Sequence, residues 1–259
     1  MKRVCAGIDA GSRTIKVVLI DPETQQILAS DVTDQGVRQD SLARELFEKL
    51  LAKNGLSRAD VSRIITTGYG RNGVTFADTT FTEITCHAYG VRHVAPQAMT
   101  LIEIGGQDSK LIRLDSKGGV RDFSMNDRCA AGTGRFLEVV AQRLGIELSA
   151  LGDIACRSRK PAPISSMCVV FAETEIVGLL ASGVAIPDVV AGIQSAIAER
   201  VVSMAGHRAD PPVFFTGGVA LVSGMREALE ARLGQTVFVA PQPQMTGALG
   251  AALLACRKQ

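Results

Sequence analysis

The stretch "DAGSRTIK", residues 9–16, is a turn between two strands, and its reading decides the fold. The run before it, "RVCAGI", is short and apolar. The run after it alternates through Ile15, Val17 and Leu19, the period-two pattern of a strand. A glycine-containing turn with hydroxyl residues points several backbone N–H groups at one place, which suits a phosphate. Gly11, Ser12, Arg13 and Thr14 make that turn, and Lys16 adds a point charge. Asp9 ends the first strand. A carboxylate there can hold Mg2+ through water, because Mg2+ keeps its waters and takes one or two carboxylates.

The same kit returns in "EIGGQDSK", residues 103–110: Glu103 at a strand end, Gly105 and Gly106, then Gln107, Asp108 and Lys110. Gln107 or Asp108 is placed to orient a hydrolytic water, a task that phosphoryl transfer requires. A third turn, "FTGGVA", residues 215–220, carries Gly217 and Gly218 and leaves room for a base or ribose near the backbone. One such turn alone is usually a plain hairpin. Three in this order, with acids at strand ends, are far more specific. The chain has no Walker phosphate loop and no GxGxxG dinucleotide fingerprint after a strand.

Working outward, each strand–turn–strand unit is followed by helical segments. "SLARELFEKLLAKNG" has apolar residues at helical spacing from Ser41 and a stop at Gly55. "SRIITTGYGRNG" reads as a buried strand into a Gly-rich loop. "PPVFFTGGVALVSGMREALEARLG" predicts a strand, a turn and a helix from about Ser223, and "MTGALGAALLAC" a closing helix packed through small residues. The expectation is two α/β lobes, residues 1–95 plus 245–259 and residues 96–244, with a cleft between them.

Composition bounds the rest. The 259 residues are 46% hydrophobic and 21% charged, ordinary for a globular chain, and the net charge is +2. No basic run argues for nucleic acid or an acidic membrane surface. The apolar stretch 169–197 is interrupted by Glu173, Glu175, Pro187 and Asp188, so no membrane span is expected. The opening "MKRVCAGIDAG" meets an acid too soon for a signal peptide, so a cytoplasmic location is expected. The six cysteines include no CxxC pair, and no disulfide framework is expected. Cys5, Cys86, Cys156 and Cys256 read as small core residues.

Two cysteines invite another reading. In "SMNDRCAAGTGRFLEVVAQRLG", residues 124–145, Cys129 stands where a helix is predicted to start. Helix starts normally carry Ser, Thr, Asp or Asn, whereas a thiol there gains a thiolate-favouring dipole. In "PISSMCVVFAETEIVGLLASG", Cys168 stands just before a long apolar helix, after a Ser-Ser suited to capping it. Thiolates are the usual ligands of iron–sulfur clusters, which take four. Two per chain leave a site half built, and a two-fold dimer completes it. Arg128, beside Cys129, reads as an exposed solvated side chain. His87 and Glu83, four apart in "EITCHAYG", share a helix face and read as a hydrogen-bonded pair rather than a metal site.

The order DAGSRTIK, EIGGQDSK, FTGGVA and TGALGAA resembles the acetate and sugar kinase–Hsp70–actin superfamily, which implies two ribonuclease H-like lobes hinging around MgATP. The words "MNDRCAAGTGRFLEV", "ISSMCVVFAETE", "TTGYGRN" and "CHAYG" are similar to the BadF/BadG/BcrA/BcrD ATPase family, end to end. Within it the likeness is to activators of (R)-2-hydroxyacyl-CoA dehydratases. That resemblance implies a homodimer with one bridging [4Fe–4S] cluster on Cys129 and Cys168 of each chain. It also implies ATP hydrolysed to ADP with Mg2+, a dehydratase as recipient of one low-potential electron, and a ferredoxin or flavodoxin as donor. Carried over by motif, Ser12, Arg13, Thr14, Ile15 and Lys16 match the first phosphate hairpin. Gly105, Gly106, Gln107 and Asp108 match the second, Gly217 and Gly218 the adenosine loop, and Gln244 a nucleotide-contacting position. Glu103 stands where some relatives have Asp. Leu221 stands where relatives often carry a polar residue, so only backbone and packing contacts are expected there. The ATPase subunit of a benzoyl-CoA reductase shares these motifs. A small-molecule kinase or a non-hydrolysing nucleotide sensor on the same fold are the more distant alternatives.

Overall fold

The computed structural model describes residues 3–165, 168–204, 206 and 209–257. In chain order the strands begin with β1 (Val4–Ala10), β2 (Thr14–Ile20) and β3 (Ile27–Asp34). Helix α1 (Gln39–Lys53), strands β4 (Val61–Thr67) and β5 (Thr79–Thr80) and helix α2 (Glu83–Val94) follow. Next come β6 (Thr100–Ile104), β7 (Ser109–Leu114) and β8 (Val120–Asn126), then helices α3 (Gly134–Leu144), α4 (Leu151–Ala155), α5 (Val169–Ala181) and α6 (Ile186–Met204). The chain closes with β9 (Val213–Thr216), α7 (Met225–Leu233), β10 (Val237–Val239) and α8 (Thr246–Ala255).

Contacts divide the chain into two compact units. One is Met1–Gln97, Ser116–Val120 and Gln244–Gln259; the other is Ala98–Asp115 and Arg121–Pro243. Pro96, Gln97, Ser116–Val120 and Gln244 fall in the first unit, where the sequence places them in the second lobe.

The first unit holds a five-stranded sheet in the order β3-β2-β1-β4-β5. β1 runs antiparallel to β2 and parallel to β4. A strand central in such a sheet is covered on both faces, and all seven residues of β1 are buried. The strand period of two sorts them. Val4, Ala6, Ile8 and Ala10 join the cluster under α1, and Cys5 joins the cluster with α8. α1 buries Ala43, Leu46, Phe47, Leu50 and Leu51, the spacing of a helix stripe, and the chain turns away through Gly55 at φ +66°. Gly7 faces α8, where a Cβ would stand 2.0 Å from the Ala248 carbonyl oxygen, so only glycine permits that approach.

The second unit repeats the plan with different residues. Its sheet runs β10-β9-β6-β7-β8, with β6 antiparallel to β7 and parallel to β9. Matched strand for strand, β6 takes the place of β1 and β9 that of β4. One large cluster joins Ile102, Ile104 and Leu111 of the sheet to Phe136, Val140, Ile176, Ile193 and Ile197 of the helices. Each fully buried side chain of this kind contributes roughly 1.5–3 kcal/mol.

Two sequence expectations are corrected here. Cys5 and Cys256 are not separate core residues: they form a disulfide between β1 and the end of α8, with Cα atoms 5.7 Å apart. They lie 251 positions apart, so only the antiparallel return of α8 along β1 makes them neighbours. The helix expected from about Ser223 begins at Met225, because Gly224 at φ +85° holds its N-cap position. No helix among the described residues is long and apolar enough to cross a membrane.

Candidate functional site

The first turn is built by the β1–β2 hairpin. The Gly11 N–H donates to the Thr14 carbonyl at 3.1 Å and closes the loop. Gln35 Nε2 donates to the Gly11 carbonyl at 2.9 Å and braces it from outside. Ser12 and Thr14 are half-buried and Arg13 exposed. The Ile15 side chain lies in the core, so it offers a ligand backbone only. Asp9 and Lys16 are direct cross-strand partners, and Lys16 Nζ donates to Asp9 Oδ2 at 3.1 Å. Lys16 is therefore an acid's counter-charge as well as the positive point read from the sequence.

The second turn has the same device in tighter form. Glu103 and Lys110 are cross-strand partners in the β6–β7 hairpin. Lys110 Nζ donates to Glu103 Oε2 at 2.9 Å and to Asp108 Oδ2 at 2.6 Å. The Lys110 side chain is 2% exposed, against 13% for Lys16. Gln107 is exposed at the tip of the turn and Asp108 is half-buried. Gly105 closes the turn by donating its N–H to the Asp108 carbonyl at 2.9 Å.

Gly217 belongs to this cluster. It sits at φ +90°, and a Cβ there would come 2.4 Å from the Ile104 carbonyl and 2.7 Å from Glu103 Oε1. Gly218 opens the short turn Gly218–Leu221. Next to it lies a cavity of about 660 Å3, lined by Ala220, Leu221, Ser223, Gln194, Arg226 and Glu227 among others. Leu221 is exposed and offers an apolar surface there. Gln244, half-buried in the turn Pro243–Met245, lies in the other unit.

The cysteines sit in the second unit. Cys129 does not start an α-helix, as the sequence suggested. It precedes the short turn Ala130–Gly132, and α3 begins only at Gly134. Ala130, Ala131 and Gly132 prefer a tight turn because Thr133 Oγ1 donates back to the Ala130 carbonyl at 2.7 Å, which competes with the helix. Asn126 clamps Cys129 from both sides: the Cys129 N–H donates to Asn126 Oδ1 at 3.0 Å and Asn126 Nδ2 donates to the Cys129 carbonyl at 2.7 Å. Arg200 Nη1 lies 4.0 Å from Cys129 Sγ. Cys168 is the N-cap residue of α5 and is exposed. Ser165 does not cap that helix; its N–H and Oγ both donate to Glu175 Oε1. Ser166 lies outside the described residues.

The cysteine segment is hydrogen-bonded to the second turn. The Gly134 N–H donates to the Gly105 carbonyl at 2.9 Å, and the Arg135 N–H to the Gly106 carbonyl at 2.8 Å. A Cβ at Gly134 would meet both Gly105 and the Val219 side chain at 3.1–3.2 Å. The glycine turn, the loop after Gly217 and the start of α3 thus meet at one residue.

Sequence reasoning missed Asn126, Gly68 and Gly247. The spacing Asn-x-x-Cys was a signal for the first, since Asn bonds its own backbone a few residues on. Gly68, at φ +94°, would place a Cβ 2.6 Å from Asp9 Oδ1, and Gly247 one 3.2 Å from Asp9 Oδ2. No local signal marks either as a neighbour of Asp9. His87 and Glu83 both lie on α2, and His87 Nδ1 lies 3.0 Å from Thr246 Oγ1.

Cys86 is no ligand. Burial pushes its thiol up to about 12, the negative charges of Asp9 and Glu83 reinforce this, and the Thr67 hydroxyl opposes it. It is neutral at physiological pH and shut from solvent. Iodoacetamide at pH 8 is expected to label the exposed Cys156 and to spare Cys86 until the chain is unfolded, read by peptide mass spectrometry. Labelling of Cys86 at the rate of Cys156 in folded protein would contradict this burial.

The donor sets decide which groups suit these residues. Asp9 in the first unit, and Glu103 and Asp108 in the second, each offer carboxylate oxygen, a donor type that suits a hard divalent ion such as Mg2+. Cys129 and Cys168, both in the second unit, offer thiols, a soft donor type of the kind that iron–sulfur clusters take. Among the described residues no group of three or more metal-ligating side chains gathers within one chain.

Two α/β units, each with an acid–lysine glycine hairpin at its sheet, define a protein of the actin, Hsp70 and sugar kinase superfamily. A glucokinase from Streptomyces griseus shows the same fold at TM-score 0.59 and 14% identity, covering 97% of this chain and 99% of its own. The sequence profile of the BadF/BadG/BcrA/BcrD ATPase family matches residues 6–255, and the chain belongs to that family. It is 43% identical over 250 residues to the activator of lactoyl-CoA dehydratase from Anaerotignum propionicum, covering 96% of each chain. The solved activator of the 2-hydroxyisocaproyl-CoA dehydratase from Clostridium difficile, with bound ADPNP, superposes at TM-score 0.92 and 41% identity, over 98% of this chain and 94% of that one.

Proposed function

We propose that this chain is an ATP-hydrolysing activator that hands one low-potential electron to a 2-hydroxyacyl-CoA dehydratase. The observation that carries the reading is the pair of hydrogen bonds from Gly134 and Arg135 to Gly105 and Gly106. They make the second glycine turn and the segment starting at Cys129 one mechanical piece. A turn that moves with nucleotide state moves that segment too. The likeness to two dehydratase activators, one solved with an ATP analogue, names the class of partner.

The residues take these roles. Gly11, Ser12, Arg13, Thr14 and Lys16 hold phosphate in the first unit, and Gly105 and Gly106 do so in the second. Gly217 and Gly218 give the adenosine room, with Gln244 as a further nucleotide contact. Asp9 and Asp108 hold the waters of Mg2+. Gln107 orients the attacking water, and Glu103 keeps Lys110 in place beside it. Cys129 and Cys168 of each of two copies hold one [4Fe–4S] cluster, which supplies one-electron storage at low potential. The face of α5 that begins at Cys168 supports pairing of copies: Val170 and Phe171 are 67% and 69% exposed, and Val177 follows two turns on. A ferredoxin or flavodoxin returns the electron to the oxidised protein, which works in the cytoplasm.

The test is anoxic. The dithionite-reduced protein with MgATP is expected to switch on a purified dehydratase, and the same protein with a non-hydrolysable analogue is not. Activation without nucleotide, or an iron-free chain that still activates, would sink the reading. Gln107→Ala is expected to slow ATP turnover about 10²-fold, as loss of a positioned catalytic group does, while calorimetric ADP affinity stays near wild type. Unchanged turnover would remove Gln107 from the chemistry.

A further inference from the structure

His87 is a buried titratable side chain that the reading above leaves without a task. It rises from α2, is 4% exposed, and its Nδ1 lies 3.0 Å from the hydroxyl of Thr246, the first residue of α8. The next residue, Gly247, is the wedge between this imidazole and Asp9. A Cβ there would stand 3.1 Å from His87 Nε2 and 3.2 Å from Asp9 Oδ2, so both atoms converge on the same glycine. α2 and α8 have no slack to give. A Cβ at Gly90 would come 1.9 Å from the Thr246 carbonyl, and one at Gly250 1.7 Å from the Cys86 carbonyl.

The two oxygens of Asp9 therefore have different surroundings. Oδ2 faces Lys16 Nζ at 3.1 Å and the first turn of α8. Oδ1 faces the glycines of the turn: a Cβ at Gly68 would be 2.6 Å from it and one at Gly11 3.8 Å. We propose that His87 is a positioning residue for the first turn. Through Thr246 it pins the start of α8 against Asp9 Oδ2, which leaves Oδ1 turned towards Gly11 to hold the water shell of a nucleotide-bound divalent cation. His87 touches neither nucleotide nor cation in this account; it acts through Thr246 and Gly247. The inference rests on the reading of Asp9 as a cation holder.

Calorimetric ADP binding with Mg2+ and with EDTA separates this from a purely structural role. The readout is the affinity that Mg2+ adds. In His87→Ala and Thr246→Val that gain is expected to shrink about tenfold, the worth of one hydrogen bond at the upper end of its range, with affinity in EDTA held within about twofold. His87→Asn, whose amide can reach the Thr246 hydroxyl from the Nδ1 position, is expected to recover most of the gain, and Thr246→Ser all of it. Should His87→Ala fail to fold, the Asn, Val and Ser variants carry the comparison. Variants that melt lower yet keep the full Mg2+ gain would overturn the inference and make His87 a packing residue. Wild-type protein that binds ADP equally well with and without Mg2+ would overturn the reading of Asp9 itself, and the inference with it.

Discussion

Cys129→Ser and Cys168→Ser, each purified without oxygen, are expected to emerge colourless and free of iron, while the wild type carries about four iron and four acid-labile sulfide per dimer. The effect is all or none because, in the proposed site shared by two copies, each substitution removes two of the four ligands. Hard hydroxyl oxygen is a poor substitute for thiolate at iron. Cys156→Ser is the control: it is an exposed cysteine of the same unit to which no ligand role is assigned, and its iron content is expected to match wild type. Cys129 and Cys168 differ in setting, and the two variants should differ beyond iron. Cys129 is clamped by Asn126 and packs against the core of the second unit, so its segment is held without a metal. Cys168 is the exposed N-cap residue of α5. Wild-type protein that stays iron-free after anoxic reconstitution, yet turns over ATP, would overturn the cluster and favour the kinase-like alternative.

Lys110→Met is expected to be the most damaging single change to stability at the two glycine turns, lowering the unfolding free energy by about 3–5 kcal/mol. Lys110 answers two carboxylates, Glu103 at 2.9 Å and Asp108 at 2.6 Å, and Glu103 is only 6% exposed. Removing the cation leaves a buried carboxylate with its charge uncompensated, and that desolvation penalty dominates any gain from the methionine's apolar surface. Lys16→Met is expected to cost less, since among the described residues Lys16 pairs with one carboxylate, Asp9, and it is nearer to solvent. The double variant Lys110→Met with Glu103→Gln should recover at least half of the loss, because it removes the stranded charge along with its partner. Urea unfolding of the four proteins checks this. Equal losses for Lys16→Met and Lys110→Met, or no recovery in the double variant, would show that the hairpins are held by packing and that the buried charges matter little.

The two hairpins also show what a local reading reaches. The turn residues, the acids at strand ends and the following lysines are close in sequence, within eight positions of one another. Strand periodicity and turn chemistry act over that range, so both hairpins were legible. The pairing of each lysine with its strand-end acid was not. It depends on register, which puts Asp9 opposite Lys16 and Glu103 opposite Lys110. The start of α3 was misplaced for a related reason. The helical pattern of Phe136, Leu137, Val140 and Ala141 was visible, but the back-bond of Thr133 that tightens the preceding turn was not.

What the sequence determined by itself is whatever short-range physics controls: two strand–turn–strand units, the helices after them, and the small-residue helix that closes the chain. Tertiary structure alone decided the rest. It joined Cys5 to Cys256 across 251 positions. It seated Gly217 against Glu103 and bonded Gly134 to Gly105. It brought His87 and Gly247 to Asp9. Each of these contacts depends on how far apart in the chain two segments return to each other. Which segments meet is set by the packing of whole helices on a sheet, and no window of neighbouring residues carries it.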